Sequence, residues 1–168
     1  MIRPTTIRRF VAGAAVASAA LGGLVASSGT AHAQSSSPTT VAAKTIKLGV
    51  ANTKLGDIIV DGKGMSLYMF SPDRYNVSVC EGQCLVAWPP LMLAPGTTTS
   101  DVELAGGLRK SKLGYALRED GSRQLTYNGW ALYYWLRDAK AGDVNGQWFN
   151  NIWWVMNDEG IPNTKRPS

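Results

Sequence analysis

Short runs with the two-residue period of strands recur along the chain, and Asx-Gly dipeptides separate them. Gly56-Asp57-Ile58-Ile59-Val60 runs into Asp61-Gly62 and then into an apolar run over 65–70. Further on, 115–118 leads to Asp120-Gly121, 124–127 leads to Asn128-Gly129, and 130–136 follows. Asp-Gly and Asn-Gly supply the positive φ angles of tight hairpins, so these runs read as strands joined by turns. Trp153-Trp154-Val155-Met156 reads as a closing strand. One or two helical turns fit residues 80–87, ended by Pro89-Pro90, because a residue before proline is pushed out of the helical region. The pattern predicts a mainly β fold with little helix.

The runs occur twice. Leu67-Tyr68-Met69-Phe70-Ser71-Pro72-Asp73 matches Leu132-Tyr133-Tyr134-Trp135-Leu136-Arg137-Asp138 at an offset of 65 residues. The same offset pairs Gly64 with Gly129, Val79 with Val144 and Trp88 with Trp153. Agreement without a gap points to a duplication, with repeats over about 55–91 and 120–156. The expected architecture is one compact domain over 47–160, built of two related β-meanders about a pseudo-twofold. Alternation puts Ser66, Tyr68 and Phe70 on one face, matched by Ala131, Tyr133 and Trp135, and this shared face is expected to form the core. Met65, Leu67 and Met69 lie on the other face, where the second copy has Trp130, Leu132 and Tyr134.

The remainder of the chain changes how its charge is read. Arg3, Arg8 and Arg9 precede an uncharged run over 10–25 rich in small apolar residues, and Ala31-His32-Ala33 follows. This is the pattern of a secretory signal over 1–33 cleaved after Ala33, and it is too short and too weakly apolar for a membrane anchor. Cleavage removes three of the 17 basic residues and none of the 12 acidic ones, so the net charge falls from +5 to +2. Neither the charge nor its alternation along the chain suggests a nucleic-acid partner. Cleavage also removes His32, the chain's one histidine, and with it Ser-His-Asp, Cys-His and ordinary zinc-hydrolase chemistry. Residues 34–46 read as a flexible linker rich in Ser, Thr and Pro, and 161–168 as a tail expected to fray.

The doubled Leu-Tyr-x-aromatic-x-x-Asp motif, with Cys80-x-x-x-Cys84 and Trp88-Pro89-Pro90 after its first copy, resembles a family of bacterial secreted-repeat proteins. That family is also described as lipoproteins with a Yx(F/W/Y)xxD motif. The resemblance covers nearly all of the foldable chain and implies an extracytoplasmic protein of a family whose biochemical role is not established. Unlike the lipoprotein members, this chain has no cysteine after its signal to accept a lipid.

Candidate sites follow from residue chemistry. Cys80 and Cys84 are the only cysteines, and in an exported protein the expectation is a local disulfide. The alternatives are a redox pair, or a copper(I) site completed by Met65, Met69 or Met92. Asp73 and Asp138, just past their strands, suit turn caps, with a carboxylate pair for metal or acid–base work as the sharper reading. Asp138, Asp143 and Asn145, followed by Gly146, have oxygens at loop spacing like a calcium loop, but the bidentate glutamate such a loop needs is missing. Nine of the 14 aromatics beyond the signal lie between Tyr127 and Trp154. Trp130, Tyr134, Trp148 and Trp154 are expected to be partly exposed and to offer a binding surface. These features suggest a secreted, non-enzymatic binding module without a cofactor, directed at a cell-wall glycan, a lipid or an envelope protein. An extracytoplasmic redox or metal protein using Cys80 and Cys84 is the alternative.

Overall fold

A computed structural model describes residues 45–167. The signal, its cleavage point and all but the end of the 34–46 linker lie outside the described residues. Eight strands form: β1 (Lys47–Thr53), β2 (Gly56–Asp61), β3 (Tyr68–Phe70), β4 (Glu103–Leu104), β5 (Leu113–Leu117), β6 (Arg123–Tyr127), β7 (Trp130–Ala131) and β8 (Trp153–Val155). One short helix, α1 (Gln83–Ala87), follows β3. The strands make three small sheets ordered β2-β1-β4, β3-β8 and β5-β6-β7. The β5–β6 and β6–β7 hairpins turn at Asp120-Gly121 and Asn128-Gly129, whereas β1–β2 turns at Lys54-Leu55. Asn128 and Gly129 take φ angles of 52° and 84°, the two positive values of a type I′ turn, and this sets Tyr127 opposite Trp130.

The repeats are related element by element at the 65-residue offset. The β1–β2 hairpin corresponds to β5–β6, and α1 corresponds to a 3₁₀ turn at Phe149–Asn151. Strand β8 corresponds to 88–90, where the first repeat has Pro89 and Pro90 in place of Trp154 and Val155. Proline has no N–H for a ladder, so this return strand is reduced to a single bridge between Pro90 and Tyr133. The two motif strands cross on the pseudo-twofold. Tyr68 N–H donates to Tyr133 C=O at 2.8 Å, and Tyr133 N–H donates to Tyr68 C=O at 2.9 Å.

Aromatic rings fill the space around this bridge with the same symmetry. Trp88 and Trp153 lie flat on one another, with centroids 3.8 Å apart and planes 3° from parallel. Phe70 covers Trp153 at 4.3 Å, and Trp135 covers Trp88 at 4.1 Å. The result is a four-ring stack in which each contact joins residues of different repeats. Tyr68 meets Trp88 edge-on at 5.3 Å, and Tyr133 meets Trp153 edge-on at 5.1 Å. Gly146 lies beneath this arrangement, where a Cβ would come within 2.7 Å of the Trp88 ring.

Both faces of the motif strands are buried, not one. Tyr68, Ala131, Tyr133 and Trp135 belong to one core cluster, with Phe70 packed against it. Leu67, Met69 and Leu132 belong to a second cluster with Leu48, Ile59, Leu125 and Met156. The motif strands run between the two clusters and so are covered by apolar residues on both faces. The expected runs over 65–70 and 130–136 are correspondingly broken. Ser66 and Ala131 pair within their own repeats, and the chain then changes partner at Tyr68 and Tyr133.

The tail does not fray within the described residues. Asn163 N–H donates to Val155 C=O at 2.9 Å, and the Asn163 side-chain amide donates to Leu55 C=O at 2.9 Å. Main-chain bonds need no apolar period, so the segment's polar composition misled the expectation.

The interleaved stack implies that the repeats unfold together. Trp88→Ala and Trp153→Ala are each expected to lose about 3–5 kcal/mol in urea unfolding, in one transition. Leu136→Ala, at an exposed position, should stay within about 0.5 kcal/mol of the parent. A second transition in either tryptophan variant would show that the repeats fold independently.

Candidate functional site

The motif aspartates serve the fold. Tyr68 Oη donates to Asp138 Oδ2 at 2.6 Å, and Tyr133 Oη donates to Asp73 Oδ2 at 2.7 Å. Each tyrosine thus binds the aspartate of the other repeat. The second carboxylate oxygen caps a turn: Val79 N–H donates to Asp73 at 2.8 Å and Asn145 N–H to Asp138 at 2.9 Å. Arg118 extends one side of the network, donating to Ser78 Oγ at 2.8 Å, while Ser78 and Tyr133 hydroxyls share a hydrogen bond of 2.7 Å. Burial raises both carboxyls above their ordinary 3.8, opposed by the bonds they accept. Burial, followed by the adjacent aspartate, also pushes the Tyr68 and Tyr133 hydroxyls well up, which keeps them donors.

Cys80 and Cys84 form a disulfide. Cys80 is 1% exposed in the aromatic cluster, and Arg118 Nη2 holds its carbonyl at 2.7 Å. The copper(I) grouping is not assembled. The sulfurs are bonded to each other in the first core cluster, Met69 belongs to the second, and Met65 and Met92 line a cleft. Closing so short a loop stabilises by about 2 kcal/mol on chain-entropy grounds. In the 138–145 loop, Asp138 is divided between Tyr68 Oη and Asn145 N–H, and Asp143 accepts from Ala139 and Lys140 N–H.

The four surface aromatics are half-buried and do not form one platform. Trp130, Tyr134 and Trp154 pack against the second core cluster. Trp148 is overlain by the chain's C-terminal residues. Tyr134 alone of the four lines a large cleft, and neither motif aspartate reaches it.

That cleft, of about 580 Å³, opens between the start of β1, the turn after β2, and the segment following Pro89-Pro90. Ile46, Met65, Leu91, Met92 and Ala94 form its apolar lining, and Lys47, Lys63, Asp61 and Tyr134 supply its polar groups. Its volume is within the usual range for small-molecule sites, about 300–1,000 Å³. Asp61 accepts from Lys63 N–H at 2.8 Å, Met65 N–H at 2.9 Å and Tyr134 Oη at 3.1 Å. Burial, then the nearby Asp61 charge, raises the Tyr134 hydroxyl and holds it protonated. The position equivalent to Met65 in the second repeat carries Trp130, so the cleft lies where the copies differ. Ile46, Lys47, Asp61, Lys63, Leu91 and Ala94 went unnoticed in the sequence because they share no spacing. Met92 stood out there only as a sulfur ligand, and Met65 as that and as a position on the diverged strand face.

Residues 49–92 and 114–157, together more than half of the chain, match the family described as a secreted repeat of unknown function. The chain belongs to this family. The two matched segments are themselves offset by the 65 residues that separate the motifs, and they begin earlier than the repeats read from the motifs, taking in β1 and β5. Membership in the secreted-repeat family supports an extracytoplasmic location. No curated protein and no solved structure matches the chain. Among the described residues, no helix is long and apolar enough to cross a membrane.

The raised motif carboxyls make stability depend on pH. The folded chain holds these two protons more tightly than the unfolded one. The stability they contribute is therefore full below pH 3.8 and is lost as pH rises through their folded values. The doubly substituted Asp73→Asn, Asp138→Asn protein cannot titrate there. Its urea midpoint should lie furthest below the parent's in acid, with the gap narrowing toward about pH 7. A gap that widens with pH would contradict the assignment.

Proposed function

We propose that this secreted-repeat protein is a non-enzymatic binding module of the cell envelope, and that the Tyr134 cleft takes an apolar ligand bearing an anionic group. One observation carries the reading: an apolar lining meets two lysines, Lys63 and Lys47, the latter paired with Glu103 at 2.7 Å, while the cleft's one carboxylate, Asp61, is already engaged by three hydrogen bonds. Catalysis by a carboxylate pair needs two acids across a cleft. The motif aspartates are committed to turns and tyrosines instead. Burying methylene groups in the lining contributes about 0.8 kcal/mol each, and Lys63, with Lys47 shared between the head and Glu103, favours a negative head at the rim. Of the envelope components considered, an anionic lipid suits this chemistry better than a glycan, which would want an exposed aromatic platform. The redox alternative finds less support, since Cys80 is sealed in the core.

Lysophosphatidylglycerol, kept below its micelle concentration, provides the test. In a chain carrying ¹³C-methyl methionine, the Met65 and Met92 signals should shift saturably, while the fully buried Met69 and Met156 stay in place. Lys47→Glu with Lys63→Glu is expected to weaken binding about tenfold or more, equivalent to about 1.4 kcal/mol. Absence of a saturable shift, or unchanged affinity in the charge-reversed protein, would overturn the proposal.

A further inference from the structure

A second constructed surface lies apart from the cleft, where the chain's own C-terminal residues are already seated. Gln147 is 5% exposed, and its side-chain amide is fully used. Its oxygen accepts from Val155 N–H at 2.8 Å, and its nitrogen donates to the carbonyls of Asn163 at 2.6 Å and Lys165 at 2.8 Å. The indole N–H of Trp148 donates to the carbonyls of Lys165 at 2.8 Å and Thr164 at 3.2 Å. The Arg166 guanidinium sits 4.6 Å from the centre of the Trp148 ring, within cation–π range.

Three consecutive carbonyls, those of Asn163, Thr164 and Lys165, are therefore read by two side chains of the second repeat, and Lys165 N–H donates to Asn163 Oδ1 at 3.0 Å, turning the segment there. Val155 C=O and Leu55 C=O add acceptors for the Asn163 main chain and side chain. The backbone is strained to build this corner. Trp148, Asn150 and Asn151 all take positive φ, at 65°, 53° and 58°, where non-glycine residues are uncommon. Strain of this kind persists only where the surroundings enforce it, and it concentrates at ligand-holding positions. Trp154 meets Trp148 edge-on at 6.3 Å, and its buried indole N–H has no hydrogen-bond partner among the described residues.

We propose that the Gln147–Trp148 corner is a peptide-binding site for a short segment turned at an Asn and carrying, three residues later, Arg, and that residues 163–166 occupy it in cis. The main-chain carbonyls provide affinity that does not depend on sequence. Asn163 and Arg166 provide the selection, through the Leu55 carbonyl and the Trp148 ring. A tethered occupant competes at an effective concentration of about millimolar, so the tail keeps the corner closed to weaker peptides.

The test uses the full chain with its tail loosened by Asn163→Ala and Arg166→Ala, and a synthetic peptide of residues 161–168. The peptide should bind the loosened chain saturably and at least tenfold more tightly than it binds the unmodified chain. The accompanying change in tryptophan emission should vanish when Trp148→Phe is added. A peptide with Arg166→Ala should bind at least tenfold more weakly. Equal affinity for loosened and unmodified chains, or no saturable binding to a loosened chain that keeps its near-ultraviolet dichroism, overturns the proposal. Should the loosened chain lose its native spectrum, Arg166→Ala alone leaves the main-chain bonds of the tail intact. An at least threefold gain in peptide affinity is then expected, and no gain overturns it.

Discussion

The flat stack of Trp88 on Trp153 is the contact on which the architecture depends. It joins equivalent residues of the two repeats, so it can form only when the copies face each other across a twofold. That arrangement brings Phe70 and Trp135 onto the outer faces of the pair and sets Tyr68 and Tyr133 in mutual hydrogen bonding. Neither repeat contains a complete core of its own. The repeated motif thus joins the two copies in this chain: its aromatic residues supply the apolar surface, and its tyrosine and aspartate supply the reciprocal polar bonds.

The lock also constrains where the protein can vary. The motif's tyrosines, aspartates and ring positions are fixed by contacts in both directions, whereas the position after each motif tyrosine takes no part in that exchange between repeats. Met69 there is buried in the second core cluster, and its counterpart Tyr134 reaches a cleft. Met65 and Trp130 differ in the same way, a flexible side chain beside the cleft in one repeat and a large ring against the core in the other. Duplication supplies the frame, and divergence on the second face supplies individual surfaces. The disulfide belongs to this divergence too. Cys80 and Cys84 occur only in the first repeat, and the place of Cys84 is taken in the second by Phe149, which contacts Trp88 and Trp135.

Much of the frame was legible in the sequence because its signals are local. The Asx-Gly turns, the short helix before Pro89-Pro90 and the 65-residue offset each follow from neighbouring residues. Strand β1 escaped notice, since Gly49 and Asn52 interrupt its alternation and its counterpart in the second repeat, β5, resembles it little. The pairing of each tyrosine with the distant aspartate was not readable in principle. Both copies carry the same residues, so pairing within a repeat and pairing between repeats are identical in composition. Nor could the sequence show Gln147, a polar residue buried by main-chain partners that leave no pattern.

The exchange of motif partners between repeats is tested most directly by double-mutant cycles on folding stability. Tyr68→Phe is combined with Asp138→Asn in one cycle and with Asp73→Asn in the other. Contacting residues couple by about 0.5–3 kcal/mol, and distant ones add to within about 0.5 kcal/mol. Coupling of at least about 1 kcal/mol between Tyr68 and Asp138, with near-additivity between Tyr68 and Asp73, is expected. Coupling of Tyr68 to Asp73 instead would mean that each motif closes on itself, and the interlocked account would be wrong.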